Sequence, residues 1–156
     1  MPSTLKIGQP APDFELPGAG GGTVRLNDFK GKALVLYFYP KDDTSGCTKE
    51  AIEFNQLKVE FAKANAEIVG VSPDGVASHD KFRKKYGLDL TLAADEEKAM
   101  LEAYGVWTEK SMYGRKYMGV ERTTVLVGPN GRVARVWDKV KVAGHAEEVL
   151  AAVKAL

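Results

Sequence analysis

Apolar and polar positions divide this chain into a readable order of strands and helices. The clearest apolar block is Leu34-Val35-Leu36-Tyr37-Phe38-Tyr39, closed by Pro40. It is apolar on both faces, which predicts a central strand covered on both sides. A polar stretch, Lys41-Asp42-Asp43-Thr44-Ser45-Gly46, leads into a helical pattern over about 47–65. There Ala51, Phe54, Leu57, Phe61 and Ala64 recur at three- and four-residue steps. Residues 67–72 read as a second strand and Pro73-Asp74-Gly75 as a turn. A short helix is expected over 76–86, with Phe82 and Tyr86 one turn apart and Gly87 as its stop. Residues 90–93 suit a short strand, and 96–104 a helix carrying Met100 and Tyr104 on one face. A strong strand follows at 123–127. The Pro129-Asn130-Gly131 turn and a return strand over 132–137 make a hairpin. A last helix over 145–156 is expected to bury Val149, Leu150, Val153 and Leu156.

Strands alternating with helices, then a hairpin and a closing helix, predict an α/β architecture: a mixed central sheet flanked by helices. The order is that of a thioredoxin-like fold, expected as one domain over 1–156. The glycine-rich run Gly18-Ala19-Gly20-Gly21-Gly22 reads as a loop. A strand at 23–26, not a helix, follows it, so the context of a dinucleotide-binding fingerprint is missing.

Composition narrows the partners. At 156 residues, 44% hydrophobic and 28% charged, the chain has the make-up of a globular domain. With 22 basic and 21 acidic residues, nucleic acid and anionic membrane surfaces are not expected partners. The longest clean apolar run, 33–39, is far short of the roughly 20 residues that span a bilayer. Met1-Pro2-Ser3-Thr4-Leu5-Lys6 lacks the basic-then-apolar layout of an export signal, so a cytoplasmic location is expected. One cysteine cannot make an internal disulfide, which favours a reducing compartment.

That cysteine, Cys47, stands where the polar loop gives way to the helix. In an open α/β sheet, sites lie beyond the carboxyl ends of strands. The first helical turn offers free N–H groups and partial positive charge, which favour a thiolate nucleophile. Gly46 leaves the backbone uncrowded, the Thr44 hydroxyl can both donate and accept, and Pro40 can wall the sulfur from water. Against this stands the inert, buried cysteine that packs as a small hydrophobe. His79 and His145 are too far apart to suggest a metal cluster, Trp107 and Trp137 read as packing residues, and Asp42 and Asp43 read as solvated loop charges.

The segment from Phe38 to Ala51 resembles the active-site segment of the peroxiredoxin Q family, also called bacterioferritin comigratory proteins. Pro40, Thr44 and Cys47 match the spacing of its motif. Gly8-Gln9-Pro10-Ala11-Pro12-Asp13-Phe14, Gly70-Val71-Ser72-Pro73-Asp74 and Tyr104-Gly105-Val106-Trp107 are similar to further family segments. Gly119-Val120-Glu121-Arg122-Thr123-Thr124 resembles the one carrying its active-site arginine.

The resemblance implies a thiol-dependent peroxidase acting on hydrogen peroxide and organic hydroperoxides through a sulfenic acid at Cys47. Arg122 would favour the thiolate and hold the peroxide, with Thr44, Gly46 and the Cys47 amide around it. Glu50 would orient Arg122, or else serve as a solvated partner of the helix dipole. No metal or cofactor is implied. Without the resemblance, Arg122 would read as a surface salt-bridge residue.

Two departures matter. Family members carry a resolving cysteine five residues after the first, where this chain has Ile52, or on the next helix, here His79 to Lys85 without cysteine. The sulfenic acid then needs an external thiol such as thioredoxin, or glutaredoxin with glutathione. Ser45 stands where the family usually has proline; it leaves the loop looser, or caps the helix. A monomer is expected, because the C-terminal extension of many dimeric relatives is lacking. The competing readings are a non-enzymatic redox sensor and a thioredoxin-like scaffold with an inert thiol.

Overall fold

The computed structural model describes residues 5–156, so the reading of the first four residues as lacking an export signal lies outside it. The apolar block forms β3 (Ala33–Phe38), buried at every position. Around it, among the described residues, lies a five-stranded sheet. β4 (Ala66–Ser72) and β5 (Thr91–Ala94) extend it in parallel on one side. β8 (Thr123–Val127) and β9 (Val133–Trp137) extend it antiparallel on the other, giving the order β5-β4-β3-β8-β9. The sheet is mixed, as the sequence predicts.

Strand periodicity assigns the two faces. Val35, Tyr37 and Tyr39 point to one side, against α1 (Ser45–Gln56), α2 (Lys58–Lys63) and α5 (His145–Lys154), which contribute Phe54, Phe61, Val149 and Val153. Leu34, Leu36 and Phe38 point to the other, against Phe14 and Met100, Leu101 and Tyr104 from α4 (Ala99–Ala103) and the turn that follows. α3 (Val76–Tyr86) closes the first face near β5 and ends at Gly87, whose φ of 61° is left-handed. A residue with a Cβ is strained there, which is why glycine stops the helix.

The pattern over 47–65 is not one helix. The chain breaks at Leu57 (φ −97°, ψ 3°). Seven residues along a straight helix span about 10.5 Å. The bend instead brings the Phe54 and Phe61 ring centroids within 6.0 Å, so one pocket buries both. The helix expected over 96–104 begins only at Ala99. Lys98 is left-handed (φ 63°) and the Asp95 carboxylate accepts from the Leu101 amide at 2.8 Å, ending the preceding turn. Leu156 is 57% exposed, because α5 stops at Lys154 before a further turn could place it inward.

Two antiparallel ribbons go beyond the sequence expectation, which of their strands includes only the one at 23–26. One is β1 (Glu15–Pro17) with β2 (Thr23–Arg25), joined by the glycine-rich loop. The other is β6 (Trp107–Met112) with β7 (Arg115–Val120). Its turn is Tyr113-Gly114, with φ of 52° and 76°. Both positive values fit the tight two-residue hairpin turn that the right-handed strand twist favours. Its strands are mostly exposed, with Glu109-Lys110 and Arg115-Lys116 flanking the turn, so no apolar alternation marks them.

Candidate active site

β3 ends beside Pro40, and α1 opens five residues later at Ser45, after the Lys41–Thr44 loop. Thr44 takes the cap position with extended backbone, but its side chain makes no capping bond; its hydroxyl donates to the Lys41 carbonyl at 2.9 Å. Ser45 is therefore the first helical residue rather than the cap. The first intrahelical bond runs from the Thr48 amide to the Thr44 carbonyl at 2.8 Å. The amides of Ser45, Gly46 and Cys47 have no acceptor inside the helix. Proline fits that first position because its fixed φ suits the helix and its missing N–H costs nothing there. Ser45→Pro is accordingly expected to stabilise the chain by about 0.4–1 kcal/mol, read as a raised urea midpoint at unchanged slope.

Cys47, Glu50, Ala51 and Phe54 form the inward face of α1. Cys47 is 1% exposed. Arg122 reaches it from across the sheet. β8 pairs antiparallel with β3 and sets Thr123 opposite Phe38, so the residue just before Thr123 arrives at the carboxyl end of β3. Arg122 thus immediately precedes β8, whose start falls where the sequence predicts. Its Nη2 donates toward Cys47 Sγ at 3.3 Å, and its Nη1 donates to Glu50 Oε1 at 2.6 Å. A Cβ on Gly46 would sit 3.2 Å from Arg122 Nη2. The room that glycine leaves is occupied by the guanidinium as it approaches the sulfur.

Glu50 is no solvated dipole partner: it is 1% exposed, one turn after Cys47 on the same face. Its Oε2 is buried without a hydrogen-bond partner among the described residues. Burial raises its carboxyl from the ordinary 4.5 to about 7, against the pull of Arg122. Burial also opposes the charge on Arg122, but Glu50 and Cys47 outweigh it and hold the guanidinium protonated. Arg122 is thus a half-enclosed member of a buried pair, not a surface salt bridge. Beneath them Tyr37 stacks on Tyr39 at 5.5 Å and on Phe54 at 4.7 Å. Burial, reinforced by the charge on Glu50, keeps its unpartnered hydroxyl protonated. Tyr37 escaped the sequence reading, since an all-apolar strand gives no sign of which ring lies under a site.

The Glu50 carboxyl links stability to pH. The unfolded chain loses this proton near 4.5 and the folded chain near 7, so the folded state binds the extra proton in between. This group's stabilisation is complete below about 4.5 and is lost as pH rises through about 7, a fall of roughly 3 kcal/mol. Glu50→Gln is expected to remove that slope. Urea unfolding at a series of pH values from 4 to 8.5 checks it (about 4 to 8.5 brackets both limits).

Asp42 is buried rather than solvated. Its carboxylate lies between Tyr39 Oη at 2.6 Å, Ser78 Oγ at 2.8 Å and His79 Nδ1 at 2.7 Å. Asp43 is exposed but paired with Lys85 at 2.8 Å and Tyr86. His145 is buried at the start of α5 with Nε2 2.8 Å from Thr124 Oγ1, and Trp137 packs edge-on against its ring. Pro40 is half-buried at the strand end, and Thr44 is exposed at the loop surface.

The sulfur, arginine and glutamate arranged on this strand–loop–helix can be compared with known proteins. A model of the AhpC/TSA family matches residues 7–136. The chain belongs to that family. Peroxiredoxin Bcp of Bacillus subtilis (strain 168) is 49% identical over 151 residues, covering 97% of this chain and 96% of the relative. Peroxiredoxin Bcp of Xanthomonas campestris pv. campestris is 51% identical over 148 residues, 94% of this chain and 92% of the relative. A solved structure of Xanthomonas campestris peroxiredoxin Q superposes with a TM-score of 0.90 at 48% identity, covering 98% and 97% of the two chains. A bacterioferritin comigratory protein from the same organism, solved in work on its alkyl peroxide reduction activity, superposes with a TM-score of 0.90 at 47% identity, covering 98% of each chain. The resemblance to the peroxiredoxin Q group and the thioredoxin-like fold expected from the sequence are both borne out.

Proposed function

We propose that this AhpC/TSA family member is a thiol-dependent peroxidase whose reacting atom is Cys47 Sγ. The observation that carries this reading is the sulfur's place on the first turn of α1, 3.3 Å from Arg122 Nη2. In the reaction, the thiolate attacks the nearer oxygen of a hydroperoxide. An S–O bond forms, the O–O bond breaks, and the leaving oxygen departs as water or alcohol after taking a proton. Cys47 is left as a sulfenic acid. Negative charge grows on the leaving oxygen in the transition state. Arg122 and the free amides at the helix start are donors aimed at that charge, so they act on the barrier and not only on binding. The Thr44 hydroxyl already donates to Lys41, which leaves its oxygen to accept the peroxide's O–H. Hydrogen peroxide and organic hydroperoxides are the proposed substrates.

Ile52 and Arg83 stand on α1 and α3, the two helices where the resemblance to the peroxiredoxin Q family implies a second cysteine, and this chain has no other thiol. An external thiol therefore completes the cycle. Its sulfur displaces water from the sulfenic acid to give a mixed disulfide, and a second thiol releases Cys47 and a free disulfide. Thioredoxin, or glutaredoxin with glutathione, is the proposed class of reductant, in a reducing compartment. A redox sensor would instead oxidise stoichiometrically and stop. Peroxide consumption with each reductant in turn separates the two. Many turnovers per protein with at least one of these thiols are expected; a single equivalent consumed with all of them overturns the proposal.

A further inference from the structure

The loop that carries Thr44 and Gly46 to Cys47 is exposed at Lys41, Asp43, Thr44 and Ser45. Asp42 is the exception, and it points into a closed polar cluster. Its two carboxylate oxygens take Tyr39 Oη on one side, and Ser78 Oγ and His79 Nδ1 on the other. Its own amide donates to Asp74 Oδ2 at 2.8 Å, and that carboxylate also accepts from Ser72 Oγ. His79 is fully buried on α3, and its Nε2 lies 3.0 Å from the Ala93 carbonyl of β5. Both ring nitrogens thus face oxygen atoms, Nδ1 the Asp42 carboxylate and Nε2 the Ala93 carbonyl. Burial opposes the charge on Asp42, but hydrogen bonds from His79 and Tyr39 outweigh it and hold the carboxyl below its ordinary range. Outside the cluster, Asp43 is tied to Lys85 and Tyr86 at the far end of the same helix.

The arrangement buries a carboxylate and does nothing at the sulfur: no bond joins His79, Ser78 or Asp42 to Cys47, Glu50 or Arg122. What it does hold is position. Two residues on from Pro40 and two before Thr44, the loop's one buried side chain is bolted to α3. A small displacement of a reacting constellation costs rate far out of proportion to its size. We infer that Asp42 and His79 are positioning residues for peroxide reduction: they fasten the loop before Cys47 to α3 and so keep the sulfur enclosed beside Arg122. This rests on Cys47 being the reacting atom. The same fastening opposes the loop opening that a bulky thiol needs to reach a sulfur 1% exposed.

The test uses His79→Leu, which removes both ring nitrogens, and His79→Asn, whose amide can restore a hydrogen bond at the Nδ1 position. Two rates are read on each reduced protein: single-turnover oxidation of Cys47 by hydrogen peroxide, and alkylation of Cys47 by iodoacetamide. In His79→Leu the peroxide rate is expected to fall about ten- to hundred-fold while the alkylation rate rises, with His79→Asn recovering most of the peroxide rate. A purely structural role lowers the melting temperature without moving the two rates in opposite directions. Asp42→Asn, which keeps the side chain's shape, answers the same question should His79→Leu fail to fold. A folded His79→Leu or Asp42→Asn with the wild-type peroxide rate overturns the proposal, as does a proportionate fall in both rates. A wild-type protein inert to peroxide is a different failure, that of the reading beneath it.

Discussion

Cys47→Ser is expected to reduce peroxide-dependent oxidation of an external thiol to the uncatalysed background while leaving the fold in place. The thiolate is the nucleophile that opens an O–O bond, and a serine hydroxyl at neutral pH has no comparable anion to offer. The substitution is nearly isosteric, and Arg122 can donate to the hydroxyl oxygen as it does to Sγ. No second sulfhydryl can take over, because the chain has one cysteine. Circular dichroism and urea unfolding should therefore match the wild type closely, and the loss should fall on turnover alone. Substantial remaining turnover would mean that the chemistry is carried elsewhere.

The second large effect is expected at Arg122. Arg122→Gln keeps a donor near the site but removes the fixed positive charge between Cys47 and Glu50. Removal of one donor aimed at a developing anion costs about 10²- to 10³-fold in rate in comparable sites. A loss of that size is expected in the second-order rate of Cys47 with hydrogen peroxide. Arg122→Lys is expected to recover little of it. A single ammonium cannot reproduce the planar fork that spans a sulfur on one nitrogen and a carboxylate on the other. Stopped-flow oxidation of the reduced variants measures both. A lysine variant as fast as wild type would mean that charge alone, without the fork, does the work.

The sequence carried much of the fold because the decisive elements are strongly patterned. Residues 34–39 are apolar throughout, and a strand buried on both faces is the only comfortable home for them. α3 and β8 fall where predicted because glycine and proline punctuate them. The spacing over 47–65 predicts one long helix where the chain forms two, and the reason is physical. Three- and four-residue spacing is preserved across a bend, so the pattern cannot report that Phe54 and Phe61 converge on one pocket. The β6–β7 ribbon was missed because it is held by its turn and ladder rather than by burial. At the site, Cys47 stood out because a polar loop-to-helix junction is an unusual place for an inert cysteine. The role of Arg122 came from resemblance, since nothing local tells an arginine beside a buried sulfur from one in solvent. For Glu50 the sequence allows two roles, and burial alone separates them. Asp42 and His79 are 37 positions apart and meet only through the packing of α3 against the loop, so neither could be read as anything but an isolated polar residue.

Cys47 is proposed to attack peroxide alone, with another molecule restoring it. The most direct measurement of this is intact-protein mass with peptide mapping after the reduced protein meets one equivalent of hydrogen peroxide in the absence of any other thiol. One added oxygen is expected, located on Cys47 and removed when a small thiol is supplied. Peroxide consumed with Cys47 unmodified, or with the oxygen placed on a methionine instead, would contradict it.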